Sequence, residues 1–316
     1  MTEKHSIIVP VYNEIDGLEN LFKRLVSLMA DLKYPFEVIL VNDGSEDGSA
    51  EKLEQIHARD PRFKIIHFSR NFGHQAAVMA GMRLAIGQTV TLLDADLQDP
   101  PELILQFIQK WKEGYEVVYG IRRNREGETF LKRISAWLFY RTLRFLTRVD
   151  IPVNTGDFRL MDRIVVDSII ELQERNPYIR GLVSWVGYRQ IGIEYERKAR
   201  EAGVTHYPFI NMLRFARDGI TSFSSAPLHF ATYLGLCTSG ISAIGLFYTF
   251  YLKFFTDKTI AGWTSLIAVL LFFSGVQLLC IGILGEYIAR IFSNVRQRPL
   301  YLIRKTSGFE RQEGKP

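Results

Sequence analysis

The segment TLLDADLQDPPE, residues 91 to 102, follows an apolar run with three carboxylates, Asp94, Asp96 and Asp99, inside six positions. Side chains on an extended segment alternate faces with a period of two, so Asp94 and Asp96 point to one side. Like charges held that close repel, and each resists ionising beside the other. A divalent cation between them reverses that balance, and hard cations such as Mg²⁺ or Mn²⁺ prefer oxygen ligands. A polar turn before a helix opening at Pro100 and Pro101, with Asp99 as its cap, is the more ordinary account of a lone Asp-x-Asp. The rest of the chain has to decide between the two.

The elements that would hold these carboxylates are readable upstream. HSIIVPVY, FEVILVND, FKIIHFS and TVTLLDAD are short, β-branched and almost continuously apolar, as strands covered on both faces are. Amphipathic stretches such as LENLFKRLVSLMADL and AAVMAGMRLAI alternate with them, which predicts an α/β domain with a mainly parallel sheet over residues 1–207. Ligands of such sheets bind beyond the carboxyl ends of the strands. Three of the strands end in polar clusters there: PVYNE, VNDGSEDGS and the Asp94 to Asp99 segment. No GxxxxGK[ST] loop occurs and no G-x-G-x-x-G follows the first strand, so a diphosphate would need a metal and basic side chains, with GIRRNR and KAREAG as sources.

The C-terminal third differs in kind. Between Asp218 and Lys253 no Asp, Glu, Lys or Arg occurs for 34 residues, and between Lys258 and Glu286 none occurs for 27. A bilayer span needs about 20 apolar residues, so two transmembrane helices are expected within 229–288. Arg290, Arg296, Arg298, Arg304 and Lys305 follow, and the positive-inside rule puts this basic tail, 289–316, and the N-terminal domain in the cytoplasm. Cys237 and Cys280 both fall within the spans and read as small packing residues.

IIVPVYNE, VNDGSEDGS and LLDADLQDPPE, in that order and spacing, resemble the GT-A-fold nucleotide-sugar domain of family-2 glycosyltransferases. SRNFGHQAAVMAG, GIRR, NTGDFRLMDR, REAGVTHYPF and the two spans narrow the resemblance to polyprenyl-phosphate glycosyltransferases, the bactoprenol glucosyltransferase branch, related to dolichol-phosphate mannose synthases. The resemblance implies that Asp94 and Asp96 frame the diphosphate and an Mg²⁺ or Mn²⁺ ion, with Gln98 as a further ligand and Ala95 binding the nucleotide sugar. It sets Pro10, Tyr12, Glu14 and Asp43 around the nucleotide, Arg122 and Arg200 at phosphates, Asp157 facing the acceptor and Arg159 near a phosphate. The implied reaction is inverting transfer of one sugar, glucose from UDP-glucose or another nucleotide sugar, to undecaprenyl phosphate at the cytoplasmic membrane face. A flippase, a downstream glycosyltransferase and a second copy of the chain are the implied protein partners.

Chemistry qualifies the part of Asp157. A lipid phosphate, with a second pKa near 6 by analogy with phosphoserine, is already largely dianionic at neutral pH and needs no strong base. Orientation of the acceptor, metal binding or charge stabilisation at the sugar carbon are the alternatives. The chain also departs from the family after Arg200: Thr205, His206 and Tyr207 stand where Ser-Lys-Tyr is common, and a fixed cation becomes a titrating one.

Residues 131–149 form a helical pattern in which Arg133, Arg141, Arg144 and Arg148 share about 80° of arc, suited to a bilayer surface or to a solvated face. Residues 208–228 read as a juxtamembrane interfacial helix. The basic excess fits an anionic leaflet, and no nucleic-acid motif accompanies it. No Gln-x-x-Arg-Trp occurs, which counts against a processive polysaccharide synthase. A non-catalytic lipid-binding adaptor would have no reason to hold Asp94 and Asp96 together against their repulsion.

Overall fold

The computed structural model describes residues 3–31, 34–123, 152, 155–175, 177–196, 226–255 and 262–309. These fall into two units, the first comprising residues 1–216 together with 299–316 and the second residues 217–298. Arg200, the Thr205 to Tyr207 departure, the 131–149 pattern and most of the 208–228 stretch lie outside the described residues.

The first unit is built on strands β1 (His5–Val11), β2 (Phe36–Asn42), β3 (Phe63–Phe68), β4 (Thr89–Leu92), β5 (Val117–Arg122), β6 (Thr155–Asp162), β7 (Gln190–Tyr195) and β8 (Ile303–Ser307). They form one sheet in the order β7-β5-β6-β4-β1-β2-β3-β8. The pairs β1–β2, β1–β4, β2–β3 and β5–β7 are parallel, whereas β6 runs antiparallel to β4 and β5, and β8 antiparallel to β3. The four apolar runs legible in the sequence are β1 to β4, and the expected mainly parallel sheet is present.

Helices cover both faces: α1 (Ile15–Asp31), α2 (Ser49–Arg59), α3 (His74–Leu84), α4 (Ile104–Lys112), α5 (Arg163–Glu171) and α6 (Ile179–Trp185). Leu18, Leu21, Leu25 and Leu28 recur at helical spacing along α1 and are buried with Ile7, Val9, Val38 and Leu40 in one core. On the opposite face α3 lies so close to β1 that a Cβ on Gly81 would stand 2.4 Å from Ile8 Cγ2. Covering both faces is what allows the strands to be apolar at successive positions.

Two features differ from expectation. Among the described residues one helical segment, Phe272–Val295, is long and apolar enough to cross a bilayer, with mean hydropathy 1.6, where two spans were expected. It belongs to α8 (Trp263–Val295), which is preceded by α7 (Ala226–Phe255). Apolar side chains such as Phe247, Phe254 and Val295 are more than 70% exposed in this unit. The cysteines are free, and the Cys280 thiol donates to the Ala231 carbonyl at 3.6 Å. The second difference is in the basic segment after α8, which supplies the edge strand of the sheet as β8 in addition to its charge.

Candidate active site

Strand direction gathers the polar clusters. The carboxyl ends of β1, β2 and β4 emerge at one edge, bearing Tyr12, Asp43 and Asp94, and antiparallel β6 starts at that same edge. The β4–β6 register pairs Thr89 with Asp162 and Leu92 with Arg159. Carried two residues further, it sets Asp94 across from Asp157. His74 bridges them: its Nε2 is 3.2 Å from Asp157 Oδ2 and 4.0 Å from Asp94 Oδ1.

His74 opens α3, and the turn before it is fixed by Asp43. Phe72 and Gly73 donate their backbone N–H groups to the two Asp43 oxygens at 2.6 and 2.9 Å. Asp43 is buried, and burial raises its pKa even though these bonds favour the ionised form. The neighbouring turn requires glycine: Gly44 has φ 70, and a Cβ there would stand 2.5 Å from the Arg70 carbonyl carbon. Asp43, expected beside the nucleotide, thus supports the loop that delivers His74.

Asp157 also receives Arg180, from the first turn of α6, through Nε–Oδ1 at 2.7 Å and Nη2–Oδ2 at 3.3 Å. Burial alone would raise its pKa, but Arg180 and His74 outweigh burial and hold it well below the usual carboxylate range. In return, burial would depress His74, and the hydrogen bond to Asp157 with the charge of Asp94 lifts it to about 9. Arg159 lies two residues on in β6, buried, with Nη2 donating to the Gly156 carbonyl at 2.9 Å and Nε without a hydrogen-bond partner. Burial is the main influence that brings it down to about 10.

Arg122, at the end of β5, is held by buried Asp99 and by Tyr195 at the end of β7. Its Nη2 is 3.3 Å from Asp99 Oδ2 and its Nε is 3.2 Å from the Tyr195 hydroxyl, which donates a short bond to Asp99 Oδ1. Asp99 is therefore a partner of Arg122, not a helix cap. Gly156 makes room, since a Cβ there would stand 2.4 Å from Arg122 Nη2.

Asp94, Asp96 and Gln98 are partly exposed while Ala95, Leu97 and Asp99 are buried, so the expected alternation holds, although β4 ends at Leu92 and the segment is a turn. Leu97 takes φ 55, an unfavourable conformation for a branched residue and of a kind that clusters at functional sites. Burial is the first cause that pushes Asp94 up to about 6; His74 opposes it, and Asp157, Asp99 and Asp96 add to it. Such a carboxyl favours an added cation. Among the described residues no group of three or more His, Cys, Asp and Glu is placed to hold a metal. Mg²⁺-type ions are usually bound through one or two carboxylates plus substrate phosphates. Asp94 and Asp96 suit such an ion in company with a diphosphate.

The glycosyl transferase family 2 profile matches residues 6–170, and a profile described as the GtrB C-terminal hairpin matches 226–291. The glycosyltransferase YkcC of Bacillus subtilis is 53% identical over 97% of this chain and 95% of its own. The SfII prophage-derived bactoprenol glucosyl transferase of Shigella flexneri is 38% identical over 96% of this chain and 98% of its own. The chain belongs to glycosyltransferase family 2. Among solved structures, glucosyl-3-phosphoglycerate synthase from Mycobacterium tuberculosis with Mn²⁺, UDP-glucose and phosphoglyceric acid is 17% identical, over 69% of this chain and 78% of that one, with a TM-score of 0.49.

In this family-2 glycosyltransferase the loops after β1 and β2 are joined by side chain to backbone bonds. Asn13 and Glu14 donate N–H groups to Ser45 Oγ and Ser49 Oγ at 3.1 and 3.2 Å, and Glu46 N–H donates to Asn13 Oδ1 at 2.9 Å. Asn13 has φ 54, which asparagine tolerates better than most residues. Pro10 lies in β1, and Tyr12, 47% exposed, lines a cavity of about 610 Å³ with Asn42, Ser45, Arg70 and Lys305. Four residues had no part in the sequence reading or a different one: His74, Arg180, Tyr195 and Asp99. His74 stood inside the quoted SRNFGHQ, and Arg180 and Tyr195 had no sequence signal, since their partners are 23 and 96 residues away.

Proposed function

We propose that this glycosyltransferase transfers a single glucose from UDP-glucose to polyprenyl phosphate, with inversion, at the cytoplasmic membrane face. The observation that carries this reading is the charge arrangement at Asp157: His74, Arg180 and buried Arg159 surround one ionised carboxylate. Asp94 shares His74 with Asp157, at 4.0 Å, and an arriving phosphate would take charge-assisted hydrogen bonds from the cations gathered here. The relatives named as bactoprenol glucosyl transferases support a lipid phosphate acceptor and a glucosyl donor.

In this mechanism an acceptor phosphate oxygen forms the bond to the sugar C1 while the bond from C1 to the diphosphate oxygen breaks, and UDP leaves with the electron pair. Asp157 is a poor proton acceptor, because Arg180 and His74 stabilise its ionised form. It orients the acceptor and faces the positive charge that develops at the sugar carbon. Asp94 and Asp96 would hold Mg²⁺ or Mn²⁺, which when bound offsets charge on the leaving diphosphate. Arg122, braced by Asp99 and Tyr195, contributes fixed positive charge at the same edge.

For the membrane arrangement, α7 and α8 are two crossings of one hairpin. Both flanks of that hairpin, residues up to 216 and from 299, belong to the same catalytic unit, which supports a paired crossing.

The test is transfer by the purified full-length protein in lipid nanodiscs, with polyprenyl phosphate and a panel of radiolabelled nucleotide sugars. Label should enter the lipid from UDP-glucose, with Mg²⁺ or Mn²⁺, and stop with chelator. Transfer from a different donor only would correct the sugar. Lipid binding without transfer from any donor would establish the adaptor reading instead.

A further inference from the structure

The segment that returns from the membrane hairpin reaches the loops of the nucleotide end through an unbroken series of hydrogen bonds. β8 pairs antiparallel with β3, His67 opposite Lys305 and Ile65 opposite Ser307. Ser69 N–H donates to the Leu302 carbonyl at 3.0 Å, and the Tyr301 ring stacks on Phe68 at 5.0 Å between centroids. Lys305 and Ser307, two apart and so on one face of the strand, both reach Glu54 of α2, at 3.0 and 2.9 Å.

Glu54 Oε1 is in turn 2.9 Å from His67 Nε2, and His67 Nδ1 is 3.0 Å from Asn42 Nδ2. Asn42 Oδ1 accepts the Ser45 N–H at 2.9 Å. One set of proton positions satisfies every link. Ser45 N–H can only donate, so the Asn42 oxygen faces it and the Asn42 NH₂ donates to His67 Nδ1, leaving Nε2–H to donate to Glu54. Ser45 Oγ then accepts from Asn13, beside Tyr12. The same Lys305 and Arg304 wall the cavity of about 610 Å³ that Tyr12, Asn42 and Ser45 line.

We propose that β8 is a positioning element of the donor site, holding the Asn42–Ser45 turn in its nucleotide-binding shape through Glu54 and His67. The proposal rests on the reading of this edge as a nucleotide-sugar site. Covering the β3 edge needs only a strand of any sequence. The convergence of Lys305, Ser307 and His67 on one carboxylate is additional to that, and it points toward the turn.

The experiment is calorimetry of UDP with Mn²⁺ on the full-length protein, alongside steady-state kinetics, for wild type, Glu54→Gln, Lys305→Met and the double variant. Glu54→Gln keeps the shape and removes the charge that anchors three donors. UDP affinity and donor KM should weaken about tenfold, with kcat at saturating donor within about twofold. The double variant should be no weaker than Glu54→Gln alone, because both act on one link. A merely structural β8 would lower thermal stability and active fraction without this split between KM and kcat.

Equal UDP affinity in wild type and in folded Glu54→Gln overturns the proposal. Where Glu54→Gln fails to fold, Ser307→Ala, which removes a donor to Glu54 from outside the cavity wall, decides on donor KM alone: a raised KM supports the proposal and an unchanged one overturns it. A wild-type chain that does not bind UDP overturns the donor-site reading, and this proposal with it.

Discussion

Arg180 and Asp157 meet through two hydrogen bonds, Nε to Oδ1 at 2.7 Å and Nη2 to Oδ2 at 3.3 Å, in a pair that buries the carboxylate. A carboxylate held this way stays ionised far below neutral pH. Asp157→Asn should therefore lower turnover by roughly 10²-fold or more, with a loss nearly independent of pH between about 6 and 9. The measurement is turnover at saturating donor across that range. Steep recovery toward high pH would return Asp157 to the part of a general base.

His74 carries a pH dependence of the opposite sign. Its pKa rises from 6.5 unfolded to about 9 folded, so its protonated form stabilises the fold. That contribution is complete below pH 6.5 and is lost as pH rises through about 9. Without added metal, the melting temperature of wild type relative to His74→Gln should fall across this window. Parallel curves for the two proteins would remove His74 from the charge balance of the site.

Asp94→Asn or Asp96→Asn should abolish transfer and metal-dependent UDP binding while the melting temperature stays near that of wild type. Binding curves with and without Mn²⁺ check this, and a variant that keeps the wild-type metal response is not missing a metal ligand.

Tyr195→Phe removes the hydroxyl between Asp99 and Arg122, leaving buried Asp99 one donor short. The expected loss is about 1–3 kcal/mol of stability, with a raised donor KM. Thermal melts and donor titrations report the two effects separately. An unchanged melt would mean that the remaining partners of Asp99 satisfy it without the hydroxyl.

Both ends of the chain should lie on one side of the membrane. A reporter fused after Pro316 and another before Met1 should be protected or accessible together in sealed vesicles, and opposite exposure would exclude the paired crossing.

The sequence made β1 to β4 legible because strands covered on both faces need apolar residues at successive positions, and few other elements read that way. It also made the acidic edge legible, since Asp94 and Asp96 stand where strand ends meet ligands. β6 was hidden because its start carries Asp157 and Arg159, buried charges that break the apolar run. β8 was hidden for a related reason: IRKTS is a charged edge strand, and only its pairing with β3 distinguishes it from a basic tail. His74 and Arg180 are single polar residues in the first turns of helices, and their common partner is fixed by tertiary packing alone.

The pairing of β8 with β3 also sets an order of assembly. Ser307 and Glu54 are 253 residues apart, and the segment bearing Ser307 leaves the ribosome after both long helices have been made. Closing so long a loop costs little more entropy than closing a shorter one, so the wait is imposed by synthesis, not by chain statistics. Until then β3 presents an unpaired edge, the kind of surface that recruits foreign strands. A nascent chain that stalls before Ile303 thus has both long helices but an incomplete catalytic sheet, which makes the pairing of β8 the last step in building that sheet. Limited proteolysis of ribosome-bound chains stalled on either side of Ser307 would detect this as protection of β3 gained only in the longer chain.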